Sequence, residues 1–179
     1  MHVSVIGAGS FGTVLASVAA ANHHRVSLWC HTQAQADLIN TQRCNPRYHP
    51  ELTLGTGILA TSDLAASVAE AELVILSVPS KAMADVCERL SPHLPAGVGL
   101  ISTTKGIQAD GFLLMSEVIE ATCPGHPVGV LSGPNLAAEI ADRHLTASVI
   151  ASPDGGLRDQ ARAALSNKYL RLYSATDRI

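Results

Sequence analysis

The chain of 179 residues is poor in aromatic and in charged side chains. Aromatic residues make up 3% and charged residues 15%, whereas 47% of the residues are hydrophobic. This composition describes a globular interior, and a chain of this length forms one domain that buries roughly 70% of its unfolded surface. The net charge is −3 and no basic run is present. Nucleic acid is therefore not expected as a partner, because the electrostatic attraction that its phosphates require is missing.

Cysteine is sparse, and its four copies are far apart in the sequence. Cys30, Cys44, Cys87 and Cys123 form no CxxC pair, whereas a disulfide scaffold or a zinc site would hold them at closer spacing. No charged and apolar leader precedes the first predicted strand, and no apolar run reaches membrane-spanning length. We therefore expect reduced thiols, a cytoplasmic location and no membrane span.

Several catalytic signatures are also missing. Among the eight histidines there is an adjacent pair, His23 and His24, but no HExxH motif and no other ligand spacing, so no metal is expected. The sequence has neither a GxSxG elbow nor a Walker lysine. Esterase and P-loop functions are thereby excluded.

Strand-like and helix-like segments alternate along almost the whole chain. This alternation predicts right-handed βαβ crossovers, and hence an α/β fold in which a doubly wound, mostly parallel sheet carries helices on both faces. The run LVILSV is apolar at successive positions, as in a central strand covered on both sides. We expect a single domain over residues 1–179. The predicted strands are Val3–Ile6, Arg25–Trp29, Ile58–Ala60, Leu73–Val78, Gly99–Thr103, Val128–Leu131, Ser148–Ala151 and Arg171–Tyr173. The predicted helices are Phe11–Ala21, Gln33–Thr41, Asp63–Glu70, Lys81–Leu94, Leu113–Thr122, Leu136–Asp142 and Leu157–Leu165.

A glycine-rich turn joins the first predicted strand to the first helix. The sequence Gly7-Ala8-Gly9-Ser10-Phe11-Gly12 has the GxGxxG spacing of a Rossmann-type dinucleotide-binding turn. In such a turn Gly7 makes the tight bend, Gly9 lets the backbone approach a pyrophosphate, and Gly12 lets the helix lie close to the sheet. The free N–H groups at the start of the helix would face the anion.

The residues that follow the other strands are candidates for the same site, because ligands of open α/β sheets bind at the carboxyl ends of the strands. After the second strand, His31 stands where an NAD-selective fold would place an acid, so NADP is tolerated beside NAD; an ordinary surface histidine is the alternative. Pro79 follows the fourth strand, either as part of a structural turn or at the border of the nicotinamide side of the cleft. The loop Arg43 to Gly57 is irregular, either a surface excursion or a functional loop.

Two further segments carry polar groups at strand ends. Lys105 follows the fifth strand, where its ammonium can bond a substrate hydroxyl or polarise a carbonyl, although a solvated loop lysine is the alternative. After the sixth strand, Gly133 allows close backbone approach and Asn135 offers an amide. This segment is either a well-made helix start or a second site for a phosphate or a substrate oxygen.

Together these stretches resemble the bacterial-type NAD(P)-dependent glycerol-3-phosphate dehydrogenases. The matching stretches occur in the order of that family: VIGAGSFGTVLA, SLWCH, INTQRCNPRYHP, ATSDL, LSVPS, TTKGI and LSGPNLAAEIA. The resemblance implies that Ser10, Phe11 and His31 contact NADPH and that Ala137 lies near the nicotinamide. It also implies that Lys105 touches cofactor and substrate, and that Gly133 and Asn135 line the glycerol phosphate site. The family more often has Ser or Thr at the position of Asn135.

The resemblance also implies a second half that this chain does not contain. In the family a C-terminal helical domain follows, with a lysine that acts as general acid–base. The whole enzyme reversibly reduces dihydroxyacetone phosphate to sn-glycerol 3-phosphate, a glycerophospholipid precursor, and is expected to form a homodimer. We expect the present chain to bind NADP or NAD with little turnover and no catalytic residue of its own. A 3-hydroxyacid or 6-phosphogluconate-type dehydrogenase domain and a non-catalytic nucleotide-binding module are the alternatives.

Overall fold

A computed structural model describes residues 1–108 and 111–178, and its secondary structure alternates as the sequence predicts. Seven α-helices and eight strands are described, with short 3₁₀ turns at Ser80–Ala82 and Ser91–His93. The strands are β1 His2–Ile6, β2 Arg25–Trp29, β3 Ile58–Thr61, β4 Leu73–Leu76, β5 Gly99–Ser102, β6 Val128–Ser132, β7 Thr146–Ala151 and β8 Leu170–Ala175. The helices are α1 Ser10–Ala21, α2 Gln33–Gln42, α3 Leu64–Val68, α4 Met83–Leu90, α5 Met115–Thr122, α6 Ala137–Ala141 and α7 Gly155–Leu165.

All eight described strands form one sheet in the order β3-β2-β1-β4-β5-β6-β7-β8. The first six strands in this order are parallel to one another, β7 runs antiparallel to β6, and β8 is parallel to β7. The strand order reverses between β1 and β4, which defines the switch point of a doubly wound sheet. The predicted fold class is confirmed.

The central strand β4 shows why its sequence is apolar at every position. Leu73 and Ile75 belong to a buried cluster that also contains residues of α1 and α7. Val74 and Leu76 belong to the opposite cluster, which contains residues of α4 and α5. Successive side chains of a strand point to opposite faces, so helices cover both faces of this sheet, as predicted for the LVILSV run.

The register places the ends of the central strands at one level. Ile6 at the end of β1 pairs with Leu76 at the end of β4, and Leu76 pairs with Ser102 at the end of β5. Ser102 in turn pairs with Val130 of β6. The segments that leave these strands therefore emerge side by side at the carboxyl edge.

Most predicted elements differ from the observed ones by one or two residues at an end, and the largest difference is in the fourth helix. The predicted helix Lys81–Leu94 is α4 flanked by two 3₁₀ turns, and the second turn follows because Pro92 has no N–H to continue the α-helical ladder. No side-chain hydrogen bond caps the start of the 3₁₀ turn Ser80–Ala82. The predicted helix start at Leu136 is one residue early, and the segment from Gly133 to Leu136 is extended or bent rather than helical.

Aspartate side chains cap the starts of α3 and α7. The Asp63 side chain accepts a hydrogen bond from the N–H of Ala66, and the Asp154 side chain accepts one from the N–H of Leu157. In the part of the chain that the structure describes, no helix combines the length and apolar character needed to cross a membrane.

Candidate functional site

The glycine turn lies between the end of β1 and the start of α1, as its spacing predicts. Gly7 has a φ of +115°, and a Cβ there would meet the carbonyl group of Ser77 at the end of the neighbouring strand. A Cβ on Gly12 would overlap the carbonyl oxygen of Gly7 and lie 3.2 Å from the Cβ of Ser77. The turn and α1 can therefore approach β4 this closely only with glycine at both positions.

Gly9 differs from Gly7 and Gly12 because its open side faces no other atom of the described residues. A Cβ built on Gly9 has no described atom within 4 Å. The amides of Ser10, Phe11 and Gly12 begin α1, and the first α-helical bond of the turn runs from Thr13 N–H to the Gly9 carbonyl. A diphosphate placed on this side would meet free N–H groups without a side chain in the way.

Two side-chain amides from outside the glycine turn bond to its backbone. The amides of Gln35 and Asn45 both donate to the carbonyl oxygen of Ala8, at 2.8 and 3.0 Å. Asn45 is 1% exposed and also donates to Thr13 Oγ1 at 2.8 Å. The loop Arg43 to Gly57 therefore packs back onto the glycine turn, a contact that the sequence analysis left undecided.

Lys105 reaches the carboxyl edge on a short segment fixed by two threonines. Thr103 Oγ1 donates to the carbonyl oxygen of Leu76 at 3.1 Å, and Thr104 Oγ1 donates to that of Val78 at 2.6 Å. The Lys105 ammonium donates to the carbonyl oxygen of Gly133 at 3.4 Å. Among the ion pairs of the described residues none involves Lys105, so its charge is available to an anionic ligand.

The segment after β6 faces Lys105. Asn135 Nδ2 donates to the hydroxyl of Ser148 on β7, whereas its Oδ1 is buried and has no hydrogen-bond partner among the described residues. A Cβ on Gly133 would meet Asn135 Nδ2 at 2.8 Å and the backbone of β7 at 3.2 Å. Gly133 is thus closely packed against Asn135, whose buried Oδ1 can accept a hydrogen bond from a ligand.

These elements enclose one cavity of about 280 Å³ at the carboxyl edge. It brings together six of the predicted site residues with four that the sequence analysis did not select. The predicted ones are Ser10, Phe11, Lys105, Gly133, Asn135 and Ala137, and the added ones are Thr103, Leu131, Ser132 and Leu136.

This cavity is not lined by the other five predicted site residues, namely Gly7, Gly9 and Gly12 of the glycine turn, His31 and Pro79. His31 is exposed at the end of β2, where its ring meets that of Trp29 edge-on at a centroid distance of 6.2 Å. Pro79 is exposed beyond β4. Within the described residues no group of three or more His, Cys, Asp or Glu side chains is arranged to hold a metal ion.

A second cavity of about 270 Å³ lies between α1, α6 and the segment before β8. No predicted site residue lines it. The ring of Tyr169 at its border is contacted by the cations of Lys168 and Arg143, at 4.9 and 5.9 Å. Size alone therefore does not single out the candidate site, which is defined by the strand ends and the glycine turn.

A doubly wound sheet with a GxGxxG turn at its switch point, facing a cavity at the carboxyl edge, defines the class of Rossmann-type dinucleotide-binding domains. The family model for the N-terminus of NAD-dependent glycerol-3-phosphate dehydrogenase matches residues 2–157. The chain belongs to this family, and the resemblance and the cofactor class inferred from the sequence are confirmed.

Individual relatives agree with this assignment. The chain is 47% identical over 176 residues to glycerol-3-phosphate dehydrogenase [NAD(P)+] of Azotobacter vinelandii, covering 98% of this chain and 52% of the relative. The corresponding protein of Teredinibacter turnerae is 43% identical over 178 residues, with 99% and 52% covered. The crystal structure of glycerol-3-phosphate dehydrogenase from Coxiella burnetii matches with a TM-score of 0.93 at 31% identity, over 98% of this chain and 54% of that one. The chain thus spans about half the length of the relatives that it matches.

Proposed function

We propose that this chain is the cofactor-binding half of an enzyme that reversibly reduces dihydroxyacetone phosphate to sn-glycerol 3-phosphate with NADPH or NADH. The observation that carries the proposal is the cavity in which the start of α1, Lys105 and the Gly133–Asn135 segment meet. Family membership supports the reaction, and the geometry supports the division of roles among the residues. The product is a precursor of glycerophospholipids.

The glycine turn is the diphosphate site of this proposal. Gly7 and Gly12 give α1 its close approach to the sheet, and Gly9 leaves the amides of Ser10 and Phe11 accessible. The open side of Gly9 is a space that a diphosphate fits, so the residues present suit the cofactor. When bound, the cofactor supplies the hydride.

The rest of the cofactor would extend to both sides of the turn. His31 follows β2, the strand that in this fold approaches the adenosine ribose. His31 and Thr32 present no carboxylate at this point, which supports acceptance of the 2′-phosphate of NADPH. We place the nicotinamide near Ala137, with Pro79 at the border of the same cleft.

The substrate contacts are assigned to the facing wall. The Lys105 ammonium has no carboxylate partner among the described residues and is placed to hold the substrate oxygen or its phosphate. Gly133 permits close approach of the backbone, and the buried Asn135 Oδ1 would accept a hydrogen bond from a substrate hydroxyl. The general acid–base lysine of the family belongs to the half that this chain does not span.

A binding titration tests the cofactor assignment. The chain is titrated with NADPH and with NADH while the fluorescence of the reduced nicotinamide is followed, and the expected result is saturable binding of at least one of them. Absence of binding by both would refute the proposed cofactor site in this chain and favour a non-catalytic module.

A second measurement separates binding from turnover. With dihydroxyacetone phosphate and NADPH present, we expect no sustained oxidation of the cofactor by this chain. Robust turnover would contradict the assignment of the acid–base group to the absent half. When the chain is saturated with cofactor, glycerol 3-phosphate is expected to bind more weakly to Lys105→Met than to the unchanged chain. Preferential binding of 6-phosphogluconate or a 3-hydroxyacid would instead indicate a related dehydrogenase.

Three broader expectations complete the proposal. Residues 1–179 form a single NAD(P)-binding domain, in keeping with the one continuous sheet of the described residues. The location is cytoplasmic, which agrees with four free cysteines. The full-length protein is a homodimer, as the resemblance implies.

A further inference from the structure

His49 in the loop Arg43 to Gly57 contacts the first residue of α1. Its Nε2 lies 2.9 Å from the Oγ of Ser10 and 3.1 Å from the carbonyl oxygen of the same residue. Ser10 follows Gly9 directly and lines the candidate cavity, whereas His49 does not line it. The bond to Ser10 therefore connects His49 to the cavity wall.

The chemistry of the two partners fixes the direction of these bonds. A carbonyl oxygen can only accept, so the Nε2 of His49 must carry a proton to bond the Ser10 carbonyl. The Oγ of Ser10 lies at a similar distance from the same nitrogen, so a proton on Nε2 makes Oγ an acceptor toward His49 as well. The hydroxyl hydrogen of Ser10 is thereby left for another acceptor.

The loop that carries His49 is itself fixed to the glycine turn. The backbone N–H groups of His49 and Tyr48 donate to the carbonyl oxygen of Asn45 at 2.8 and 3.1 Å. The side chain of Asn45 is bonded to Ala8 and to Thr13. The imidazole of His49 is thus held at a set distance from the turn, independently of any ligand.

We propose that His49 is a positioning residue for the cofactor diphosphate. By donating from Nε2 to Ser10, it orients the Ser10 hydroxyl so that its hydrogen is donated to a phosphate oxygen at the start of α1. This arrangement involves hydrogen bonds only and no proton transfer. The inference rests on the proposed function, since it requires a diphosphate at the glycine turn.

The proposal makes the effect of His49 depend on phosphate in the ligand. Adenosine diphosphate carries the diphosphate, whereas adenosine shares the base and the ribose but has no phosphate. Loss of the Nε2 donor should weaken binding of the first and leave binding of the second unchanged. A histidine that only supported the fold would affect both ligands together.

The test is calorimetric titration of the 179-residue chain with adenosine diphosphate, adenosine and NADPH. For His49→Leu we expect the affinity for adenosine diphosphate and NADPH to fall by about three- to tenfold, the size of one hydrogen bond. His49→Gln should restore most of the affinity, because its amide nitrogen can take the place of Nε2. His93→Leu, at an exposed position in a 3₁₀ turn, is the matched control and should bind as the unchanged chain does.

A double variant tests the route through Ser10. In a Ser10→Ala background, His49→Leu is expected to cause little further loss, because the hydroxyl that it orients is gone. Equal binding of adenosine diphosphate by His49→Leu and the unchanged chain, or a loss that Gln does not restore, would overturn the inference while leaving the proposed function intact. If the unchanged chain binds neither adenosine diphosphate nor NADPH, the proposed function fails and the inference fails with it.

Discussion

Gly12 in α1 lies directly beneath the carbonyl group of Gly7. The geometry leaves no space for a side chain between them, because a Cβ on Gly12 would overlap the Gly7 oxygen and lie 3.2 Å from the Cβ of Ser77. Gly7 cannot move away easily, since its own Cα packs against the carbonyl group of Ser77. The contact links the sequence motif to the packing of α1 on the sheet.

We therefore expect Gly12→Ala to destabilise the fold. The better helix propensity of alanine contributes about 1 kcal/mol, and the overlap should outweigh it, for a net loss of about 1–3 kcal/mol. Chemical denaturation followed by circular dichroism measures the change. Gly9→Ala is the matched control, since its Cβ meets no atom of the described part of the chain within 4 Å. Equal stability of both variants would contradict the packing argument.

A larger residue at position 9 should weaken NADPH binding without a matching change in the stability of the fold. Gly9 has a φ of −80° and a ψ of −171°, which an L-residue adopts without strain. Gly9→Val is expected to keep the free energy of unfolding within about 0.5 kcal/mol while abolishing NADPH binding, because its side chain fills the space assigned to the diphosphate. Unchanged affinity for NADPH would place the diphosphate elsewhere.

The parts of the fold that sequence predicts well are those set by local pattern. The residues of β4 are apolar at successive positions, which is typical of a strand covered on both faces. The spacing of Gly7 and Gly12 reflects one close packing contact. Lys105 and Asn135 could be placed at the site because parallel strands end at one edge.

Contacts between distant side chains could not be predicted in this way. His49 and Ser10 are 39 residues apart, and their bond depends on the path of an irregular loop that no periodicity describes. The segment before α6 gives a second example. A helix start is one of the two alternatives that the sequence leaves for this segment, but Asn135 bonds to Ser148 on β7 rather than capping a helix. In both places tertiary hydrogen bonds determine the local structure.

The buried amide of Asn45 should be important for the position of the loop Arg43 to Gly57. Asn45→Ala removes its bonds to Ala8 and Thr13, and we expect a loss of about 1–3 kcal/mol in the free energy of unfolding. Asn45→Asp should cost at least as much, since an oxygen would replace the donor facing the Ala8 carbonyl. Chemical denaturation measures both, with the exposed Gln33→Ala as control; a loss no larger than that of the control would argue against the anchor.

The four free thiols should differ sharply in reactivity. Cys30, Cys87 and Cys123 are fully buried, whereas Cys44 is half-buried. Burial raises the pKa of Cys30 to about 12, and the thiolate is the reactive form. At neutral pH a thiol reagent should therefore label one cysteine per folded chain, and the Cys44→Ser variant should lose this reaction. A fast phase that persists in Cys44→Ser would show that a buried thiol becomes accessible in the folded protein.

His2 should make stability depend on pH. Burial and the neighbouring Arg25 guanidinium lower the pKa of His2 below its ordinary value of 6.5, although Glu70 and Glu72 act in the opposite direction. The folded state therefore holds the His2 proton less tightly than the unfolded chain does. At pH values near and below about 6.5 the unfolded chain binds more protons, so stability rises with pH there. The loss of stability should begin as the pH falls below about 6.5 and continue until the pH has passed the lowered pKa of His2 in the folded state.

The variant His2→Gln isolates this contribution. Its amide nitrogen can keep the bond that His2 Nε2 makes to Ser27 Oγ at 2.8 Å, but it does not titrate. Between about pH 7 and pH 5 the denaturation midpoint of His2→Gln should therefore fall less steeply than that of the unchanged chain. The exposed His93→Gln should follow the unchanged chain. If the midpoint of His2→Gln falls as steeply as that of the unchanged chain, the proton taken up on unfolding between about pH 7 and pH 5 binds at a group other than His2.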